Sequence, residues 1–314
     1  MKYPTITAEV IADSISLSGV RIVTLEIVVP RIIWSEFMTH RVFSRNAASS
    51  RAVPVKSMLA MIRENPARPA HWGLNQPGMQ AFETNSNLIA AGYTADEWWD
   101  LAAASAVSFA EQMDAAGYHK QVVNRLTEPF SYMKAVVTAT SYDNFFHLRV
   151  HEMADPTIHA LANTMLQAVT ESKPRSLIPG EWHVPYYKDG YWSETESNID
   201  SYGYTLHEAL MISSSCCAQV SYRKLNDTLE KAEDVFAKLN IEQDNDDPCH
   251  ASPCEHQASP MTTPVWHQDL FEVEEWQEGV THMDRQFNLY SGNFKHWIQY
   301  RQLIAGHDCK VYTR

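Results

Sequence analysis

Three arginines and three serines lie within the thirteen residues from Thr39 to Arg51, and no acidic residue lies among them. Arginine presents a planar fork of N–H donors that can bind two phosphate oxygens at once, while serine hydroxyls and turn N–H groups bind the remaining oxygens. The whole chain has a formal net charge of −13, so this cluster differs from the general composition. The segment predicts a site for an anion such as a phosphate; from composition alone, a solvated basic loop is an equal alternative.

A second group of arginines follows further along the chain. Arg125 lies in the run Asn-Arg-Leu-Thr-Glu-Pro, and Arg149 ends the run Asn-Phe-Phe-His-Leu-Arg that begins at Asn144. A fixed guanidinium beside a carbonyl oxygen stabilises negative charge that develops there during a reaction. The alternative for Arg149 is a helix-surface cation that pairs with Glu152 or Asp155 and contributes little.

The segment from Cys249 to His256 concentrates residue types that bind metal ions. Structural zinc sites use a short Cys-x-x-Cys spacing with a second ligand pair, and this run has neither, so we expect no metal site. None of the five cysteines lies in the arginine-rich runs, where a cation would activate a thiol. Cys217 is predicted to be a small buried hydrophobic residue.

The composition excludes several classes of protein. A chain of 314 residues with 45% hydrophobic residues can bury a sizeable core, and we expect one domain over residues 1–314. No apolar run approaches the ~20 residues of a membrane span. The first residues lack the pattern of a signal peptide, so we expect a cytoplasmic protein with reduced thiols that does not bind membranes. The net charge of −13 argues against general nucleic-acid binding.

Hydrophobic patterning and capping residues predict the elements that would position these side chains. β-Branched residues over 20–30 predict a strand that ends at Pro30. Thr94 and Asp155 are typical N-caps, for helices over about 95–116 and 156–171. Other helices are predicted over 31–43, 56–64, 206–220 and 227–239. A loop is predicted over 65–95, a loop with some strand over 173–204, and an acidic turn over 242–248. Residues 136–140 fit either a strand or a buried helix.

The order of residues in the first segment resembles the signature of the flavin-dependent thymidylate synthases. That signature reads Arg-His-Arg, two residues, Ser, one residue, Asn-Glu, one residue, Ser, one residue, Arg-Tyr. The sequence departs from it at Thr39, Ala47 and Ala52, and matches it at His40, Arg41, Ser44, Asn46, Ser49 and Arg51. The run through Arg125 and the run from Asn144 to Arg149 are similar to the family's second arginine block.

Two further blocks resemble the N-terminal part of this family but lie behind the rest of the chain. Residues 250–256 are similar to the family's His-x-Thr/Ser-Pro-x-Glu-His motif, and residues 220–222 to its Val-Ser-Tyr segment. We therefore expect a circularly permuted member, of the long branch found in bacteriophages, because permutation is mild when termini lie close together. The run from Asn293 to Arg301 resembles a Gln-aromatic-aromatic-Arg run and could supply the cation missing at Thr39.

The resemblance implies an α/β (α+β) fold with a central, mostly antiparallel sheet flanked by helices, with insertions at 65–118 and 173–205. It implies FAD as cofactor, dUMP as substrate, and methylenetetrahydrofolate and NADPH as co-substrates, in a homotetramer with shared active sites. The residues implied as flavin contacts are His40, Arg41, Asn46, Thr138, Thr140, Asn144, His250, Ser252 and Glu255. Those implied as nucleotide contacts are Ser49, Ser50, Arg51, Arg125, Gln299, Arg301 and Arg149, with Arg149 as the catalytic residue that activates the uracil ring.

Two other functions stay open. The alanine at position 47, where the family has glutamate, favours a variant reaction, in which a methyl or hydroxymethyl group is transferred to dUMP or dCMP. A function of another class would be non-catalytic binding of a nucleotide or of zinc. A bound flavin would distinguish the enzyme from that alternative.

Overall fold

The structure is a computed structural model that describes residues 6–221, 225–243, 245, 247–262 and 276–310. Three predicted features therefore lie partly or wholly outside the described residues: the N-terminal residues 1–5, the Val-Ser-Tyr segment at Tyr222, and the acidic turn at positions 244 and 246.

A five-stranded sheet forms the centre of the protein. Its strands are β1 (Thr7–Ser16), β2 (Arg21–Pro30), β3 (Ser44–Ala47), β4 (Tyr132–Ala139) and β5 (Arg175–Leu177), in the order β3-β4-β2-β1-β5. All neighbouring pairs are antiparallel except β1 and β5, which are parallel. The expected mostly antiparallel central sheet is therefore confirmed.

Two smaller sheets contain the strands of the C-terminal part of the chain, and the larger of them also contains strands from residues 182–192. The four-stranded sheet has the order β12-β8-β6-β7, and the three-stranded sheet has the order β11-β10-β9. The strands are β6 (Trp182–His183), β7 (Tyr191–Trp192), β8 (Ala258–Pro260), β9 (His282–Met283), β10 (Leu289–Ser291), β11 (Phe294–Lys295) and β12 (Trp297–Gln299). Because β8 pairs with β6, the region after His250 is attached to residues 182–183.

Helices flank the sheets, as expected for the fold class. They are α1 (Trp34–Met38), α2 (Val55–Glu64), α3 (Ala95–Ala115), α4 (Lys120–Val123), α5 (Asp143–Arg149), α6 (Pro156–Glu171), α7 (Leu206–Ala218) and α8 (Leu229–Leu239). Short 3-10 helices cover Arg31–Ile33, Ala90–Gly92, Asn124–Phe130, Gln219–Ser221, Ser252–Glu255 and Tyr300–Leu303. Within the described residues, no helix is both long enough and apolar enough to cross a membrane.

The predicted caps and strand ends are confirmed. Thr94 accepts the N–H of Glu97 in a capping box, and Asp155 accepts the N–H groups of Thr157 and Ile158. Residues 136–140, which the sequence left open, are largely in strand β4.

The helix predicted over 31–43 is wrong beyond Met38. The chain forms a 3-10 turn and then the short helix α1, which ends at Met38. Ser44 already pairs with Thr138 in the β3–β4 ladder, so the backbone groups after Phe43 bond across the sheet and are not available to extend a helix.

The two faces of strand β2 differ in character, because successive side chains point to opposite sides of a sheet. Val23, Leu25 and Ile27 pack into the main hydrophobic core with Phe37, Phe43 and Phe145. The opposite face carries Thr24, which is fully buried. This polar residue inside the protein has a counterpart on β4, Thr138, directly opposite in the ladder.

Candidate active site

In the first half of the cationic segment, Arg45 forms hydrogen bonds to the backbone of the preceding turn. Arg45, at the start of β3, donates through Nη1 to the carbonyl oxygens of Met38 at 3.2 Å and His40 at 2.9 Å. Burial lowers the pKa of Arg45 from its ordinary value. The guanidinium thus stabilises the turn between α1 and β3, while Arg41 in the same turn is exposed.

His40 and Arg149, both predicted from the sequence, are in direct contact. The Nε–H of Arg149, at the end of α5, donates to Nε2 of His40 at 2.9 Å. An arginine can only donate, so this Nε2 carries a lone pair and the imidazole is neutral. Burial, then the charges of Arg149 and Arg45, lower the pKa of His40 and favour that neutral form.

A buried asparagine connects the second half of the segment with the second arginine block. Nδ2 of Asn124 donates to the carbonyl oxygens of Ser50 at 2.7 Å and Val53 at 2.9 Å. The hydroxyl of Ser50 in turn donates to Oε1 of Glu128 at 2.5 Å. These bonds fix the turn that carries the predicted phosphate ligands against the 3-10 helix that follows α4.

The two predicted phosphate arginines are both accessible. Arg51 and Arg125 are exposed, and the backbone N–H of Arg51 donates to the hydroxyl of Ser49 at 3.3 Å. Arg31 lies close by: burial lowers its pKa, Glu128 raises it, and the positive charge of Arg125 lowers it further. The turn therefore presents several cations in the same region, which is the electrostatic condition for binding a dianion.

The block from residue 250 to 256 lies against the cationic segment. Asn46 of β3 hydrogen-bonds through Oδ1 with Nε2 of His256 at 3.0 Å, and through Nδ2 with the hydroxyl of Ser252 at 3.4 Å. A second contact comes from the 3-10 helix Gln219–Ser221 that follows α7, where the hydroxyl of Ser221 accepts the N–H of Ser49 at 2.9 Å. His250 itself is exposed. Both displaced blocks thus reach the segment that the circular permutation predicts as their neighbour.

The C-terminal run holds this block in place. Arg301 forms an ion pair with Glu255, and its Nη2 donates to the carbonyl of His307 at 3.1 Å. Gln299 is almost fully buried, and its Nε2 lies within hydrogen-bond distance of the Glu255 carbonyl and of Ser44 Oγ. The Nε atom of Arg301 is buried and has no hydrogen-bond partner among the described residues.

The remaining predicted flavin contacts differ in accessibility. Thr138 is fully buried and its hydroxyl lies between Thr24, at 2.7 Å, and His256, at 2.8 Å. The hydroxyl of Thr140 accepts the N–H of Lys295 at 3.0 Å. Asn144 lies exposed in the first turn of α5.

Several residues of the site were not predicted from the sequence. Asn124 and Glu128 belong to the same short run as Arg125, and this closeness in sequence was the clue to them. Thr24 and His183 belong to no motif, and their hydrogen bond at 2.8 Å joins positions that are 159 residues apart.

Three of the five thiols are poorly suited to act as nucleophiles because they are buried. Burial raises the pKa of Cys216 to about 12, and also raises the pKa of Cys217 and Cys254. Cys217 is fully buried, as predicted. Within the described residues, no three histidine, cysteine, aspartate or glutamate side chains are grouped so as to hold a metal ion.

The model of one protein family, described as thymidylate synthase complementing protein, matches residues 20–175. The chain belongs to this family, the flavin-dependent thymidylate synthases. The matched residues include the cationic segment, Arg125 and Arg149, and the chain is accordingly an enzyme of that family. The block from residue 250 to 256 lies beyond the match.

Solved structures of family members are similar to part of the chain. Thymidylate synthase X (ThyX) from Helicobacter pylori with FAD and dUMP is 14% identical, with a TM-score of 0.35 over 47% of this chain and 67% of that one. The UMP/dUMP methylase PolB from Streptomyces cacaoi, bound with 5-Br UMP, is 18% identical, with a TM-score of 0.39 over 53% of this chain and 89% of that one. No curated protein matches the chain.

Proposed function

We propose that the chain converts dUMP to dTMP with FAD as cofactor and with methylenetetrahydrofolate and NADPH as co-substrates. The observation that carries the proposal is the meeting of three separate blocks: the cationic segment touches Arg149 through His40 and the 250–256 block through Asn46. Membership of the flavin-dependent thymidylate synthase family supports the reaction class.

The donors of the site fit a flavin nucleotide. The exposed guanidinium group of Arg41 and the hydroxyl of Ser252 are the donor types that bind phosphate oxygens. When bound and reduced at the expense of NADPH, FAD would supply the reducing equivalents of the reaction.

Arg149 would act on the pyrimidine. Attack at C6 of a uracil ring moves negative charge onto the adjacent carbonyl oxygen, and a guanidinium held beside that oxygen stabilises the charge where it develops. His40 accepts the Nε–H of Arg149, which restricts the orientation of the guanidinium and leaves its terminal nitrogens for other acceptors. His40 is thus a positioning residue for Arg149 as well as a predicted flavin contact.

Arg51 and Arg125 would clamp the nucleotide phosphate. They lie on the turn and on the 3-10 helix that Asn124 connects, so their relative position is fixed before a ligand binds. Ser49 and Ser50 belong to the same turn, although the hydroxyl of Ser50 already donates to Glu128. Gln299 and Arg301 support the opposite side through Glu255.

The absorbance spectrum of the purified full-length protein tests the cofactor. A yellow preparation with near-stoichiometric flavin supports the enzyme, and a colourless preparation that carries zinc would make it a non-catalytic binding protein. Light scattering of the same sample tests the proposed homotetramer, in which neighbouring subunits would share active sites.

Mass spectrometry of the product tests the substrate. The full reaction mixture is incubated once with dUMP and once with dCMP, and the product mass separates a methyl from a hydroxymethyl group. Position 47 motivates the comparison, because Ala47 pairs with Ala135 in the β3–β4 ladder and brings no carboxylate to the site. Activity on dCMP alone would replace the proposed reaction by the variant one.

A further inference from the structure

A continuous chain of hydrogen-bonded polar side chains, most of them buried, runs along one face of the central sheet and leads to Asn46 and Ser252. It begins at Ser14 of β1, whose hydroxyl lies 2.9 Å from Nδ1 of His183. Nε2 of His183 lies 2.8 Å from the hydroxyl of Thr24, and that hydroxyl lies 2.7 Å from the hydroxyl of Thr138. The first half of the chain thus joins strands β1, β6, β2 and β4.

The second half leads from the sheet to the candidate active site. The hydroxyl of Thr138 lies 2.8 Å from Nδ1 of His256, and Nε2 of His256 lies 3.0 Å from Oδ1 of Asn46. The Nδ2 group of Asn46 then points to the hydroxyl of Ser252 at 3.4 Å. Asn46 and Ser252 are the two members of the chain that solvent can reach.

The two histidines of the chain are neutral. His183 and His256 are fully buried, and burial lowers the pKa of each to about 3. A neutral imidazole has one donor and one acceptor nitrogen. Each ring therefore accepts a hydrogen bond from one neighbour and donates one to the other.

The direction of the whole chain is set at Asn46. Its Oδ1 can only accept, so Nε2 of His256 carries the proton and Nδ1 accepts from Thr138. The hydroxyl of Thr138 therefore donates to His256, and its oxygen accepts a hydrogen bond from the hydroxyl of Thr24. Thr24 in turn accepts from Nε2 of His183, and Nδ1 of His183 accepts from Ser14.

If the donor and acceptor of one hydrogen bond in the chain were exchanged, those of every other bond would have to be exchanged as well. If the amide of Asn46 turned over, its NH₂ group would face His256, both histidines would change tautomer and both threonine hydroxyls would rotate. A partial reversal would leave a buried donor facing a donor, which is unfavourable because buried polar groups need satisfied hydrogen bonds. The orientation of the Asn46 amide is therefore coupled to side chains as distant as Ser14.

We propose that Ser14, Thr24, Thr138, His183 and His256 are positioning residues that hold the NH₂ group of Asn46 towards Ser252 and towards the flavin. The proposal rests on the proposed function in one respect, which is that Asn46 contacts the flavin. In this proposal Thr138 and His256 act on the flavin indirectly, through Asn46. Ser14, Thr24 and His183, which lie outside every motif of the sequence, are further residues that position Asn46.

The variant Thr24→Val tests the chain at its middle. Valine has the same shape as threonine but cannot transmit a hydrogen bond, whereas Thr24→Ser retains the hydroxyl. We expect Thr24→Val to weaken FAD binding about three- to tenfold, as for the net loss of one hydrogen bond, and to shift the flavin absorbance bands. Thr24→Ser should restore both.

Tyr142→Phe is the matched control. The hydroxyl of Tyr142 is buried against the same two strands, where it donates to the carbonyl oxygens of Val23 and Val137. It does not belong to the chain, so its removal should leave FAD affinity and the flavin bands unchanged. Wild-type FAD affinity and bands in Thr24→Val, or an equal loss in Thr24→Ser, would overturn the proposal.

Nuclear magnetic resonance of the imidazole nitrogens tests the chain without a flavin. We expect the Nε2–H tautomer for both His183 and His256 in the wild-type protein, and a mixed tautomer population of His256 in Thr24→Val. Opposite tautomers of the two rings in the wild type would contradict the chain. If Thr24→Val does not fold, Ser14→Ala removes the first donor and should shift the tautomer of His183 in the same measurement.

Failure of this proposal is distinguishable from failure of the proposed function. A wild-type protein that binds no FAD would refute the function, while the tautomers would still decide whether the chain orients Asn46. A wild type that binds FAD, together with unaltered binding in the variants, would refute the chain alone.

Discussion

Arg149 donates its Nε–H to Nε2 of His40 over 2.9 Å, and the two residues are 109 positions apart in the sequence. The contact joins the end of α5 to the turn after α1, so each of the two arginine-containing motifs orients a residue of the other. The ring of His40 also packs edge-on against Phe145, with centroids 4.9 Å apart, which fixes the acceptor nitrogen towards Arg149.

Replacement of Arg149 should abolish most of the activity. We expect Arg149→Ala to lower the rate of dTMP formation by about 10²- to 10³-fold, as for removal of one group that stabilises a developing oxyanion. His147→Ala, an exposed residue of the same helix, should keep wild-type activity. Steady-state assays of both variants make the comparison, and an Arg149→Ala enzyme with a normal rate would exclude Arg149 from catalysis.

The same variant should raise the pKa of His40. Burial, Arg149 and Arg45 all lower this pKa, and removal of Arg149 eliminates one of the two cationic contributions. Titration of the His40 ring signals by nuclear magnetic resonance, in wild type and in Arg149→Ala, measures the shift. A fall of the pKa in the variant would show that Arg149 does not face the imidazole.

The two buried histidines of the sheet should make the protein sensitive to acid. Each has a pKa of about 3 in the folded state against an ordinary value of 6.5, so the unfolded state binds more protons between these values. Stability is therefore retained above the ordinary pKa and is lost as the pH falls towards 3. Each histidine contributes a decrease of about 1.4 kcal/mol per pH unit within that window.

Urea unfolding at about pH 6, 5 and 4 tests this dependence. His183→Gln should have a slope of unfolding free energy against pH that is smaller by the contribution of one histidine. The variant is also expected to be less stable at neutral pH, because the hydrogen bond to Ser14 or to Thr24 is weakened. Equal slopes in the two proteins would mean that His183 becomes protonated in the folded state.

Removal of the Asn124 amide should loosen the predicted phosphate site. Asn124→Ala leaves the carbonyls of Ser50 and Val53 without their donor, at a cost of about 1–3 kcal/mol in the free energy of unfolding. Because Arg51 lies on the freed turn, we also expect a higher KM for dUMP. Asn163→Ala, which removes an exposed amide on α6, is the control for both measurements.

Alkylation of thiols should leave the enzyme active. Cys216, Cys217 and Cys254 are buried with raised pKa values, whereas Cys309 is exposed. Iodoacetamide at neutral pH should therefore label Cys309 first, as peptide mass spectrometry would show, without loss of dTMP formation. Inactivation in proportion to labelling of Cys217 or Cys254 would instead indicate a cysteine nucleophile.

The sequence of residues within short segments determined much of the secondary structure. The strand that ends at Pro30 and the helices capped by Thr94 and Asp155 follow from residue types that act on their immediate neighbours. The spacing of His40, Asn46 and Arg51 likewise pointed to the family, because a motif is a local pattern. These features needed no knowledge of distant contacts.

Tertiary structure decided where the local pattern stops and which polar side chains are enclosed. After helix α1 ends at Met38, Arg45 binds the carbonyl oxygens of Met38 and His40, and the residues from Ser44 onward pair with β4, nearly a hundred residues later. Thr24 and His183 became parts of one hydrogen-bonded chain because sheet pairing and burial brought them together. A hydrogen bond between such distant positions leaves no periodicity in the sequence, so only the fold shows that the hydrogen-bonded chain from Ser14 reaches Asn46.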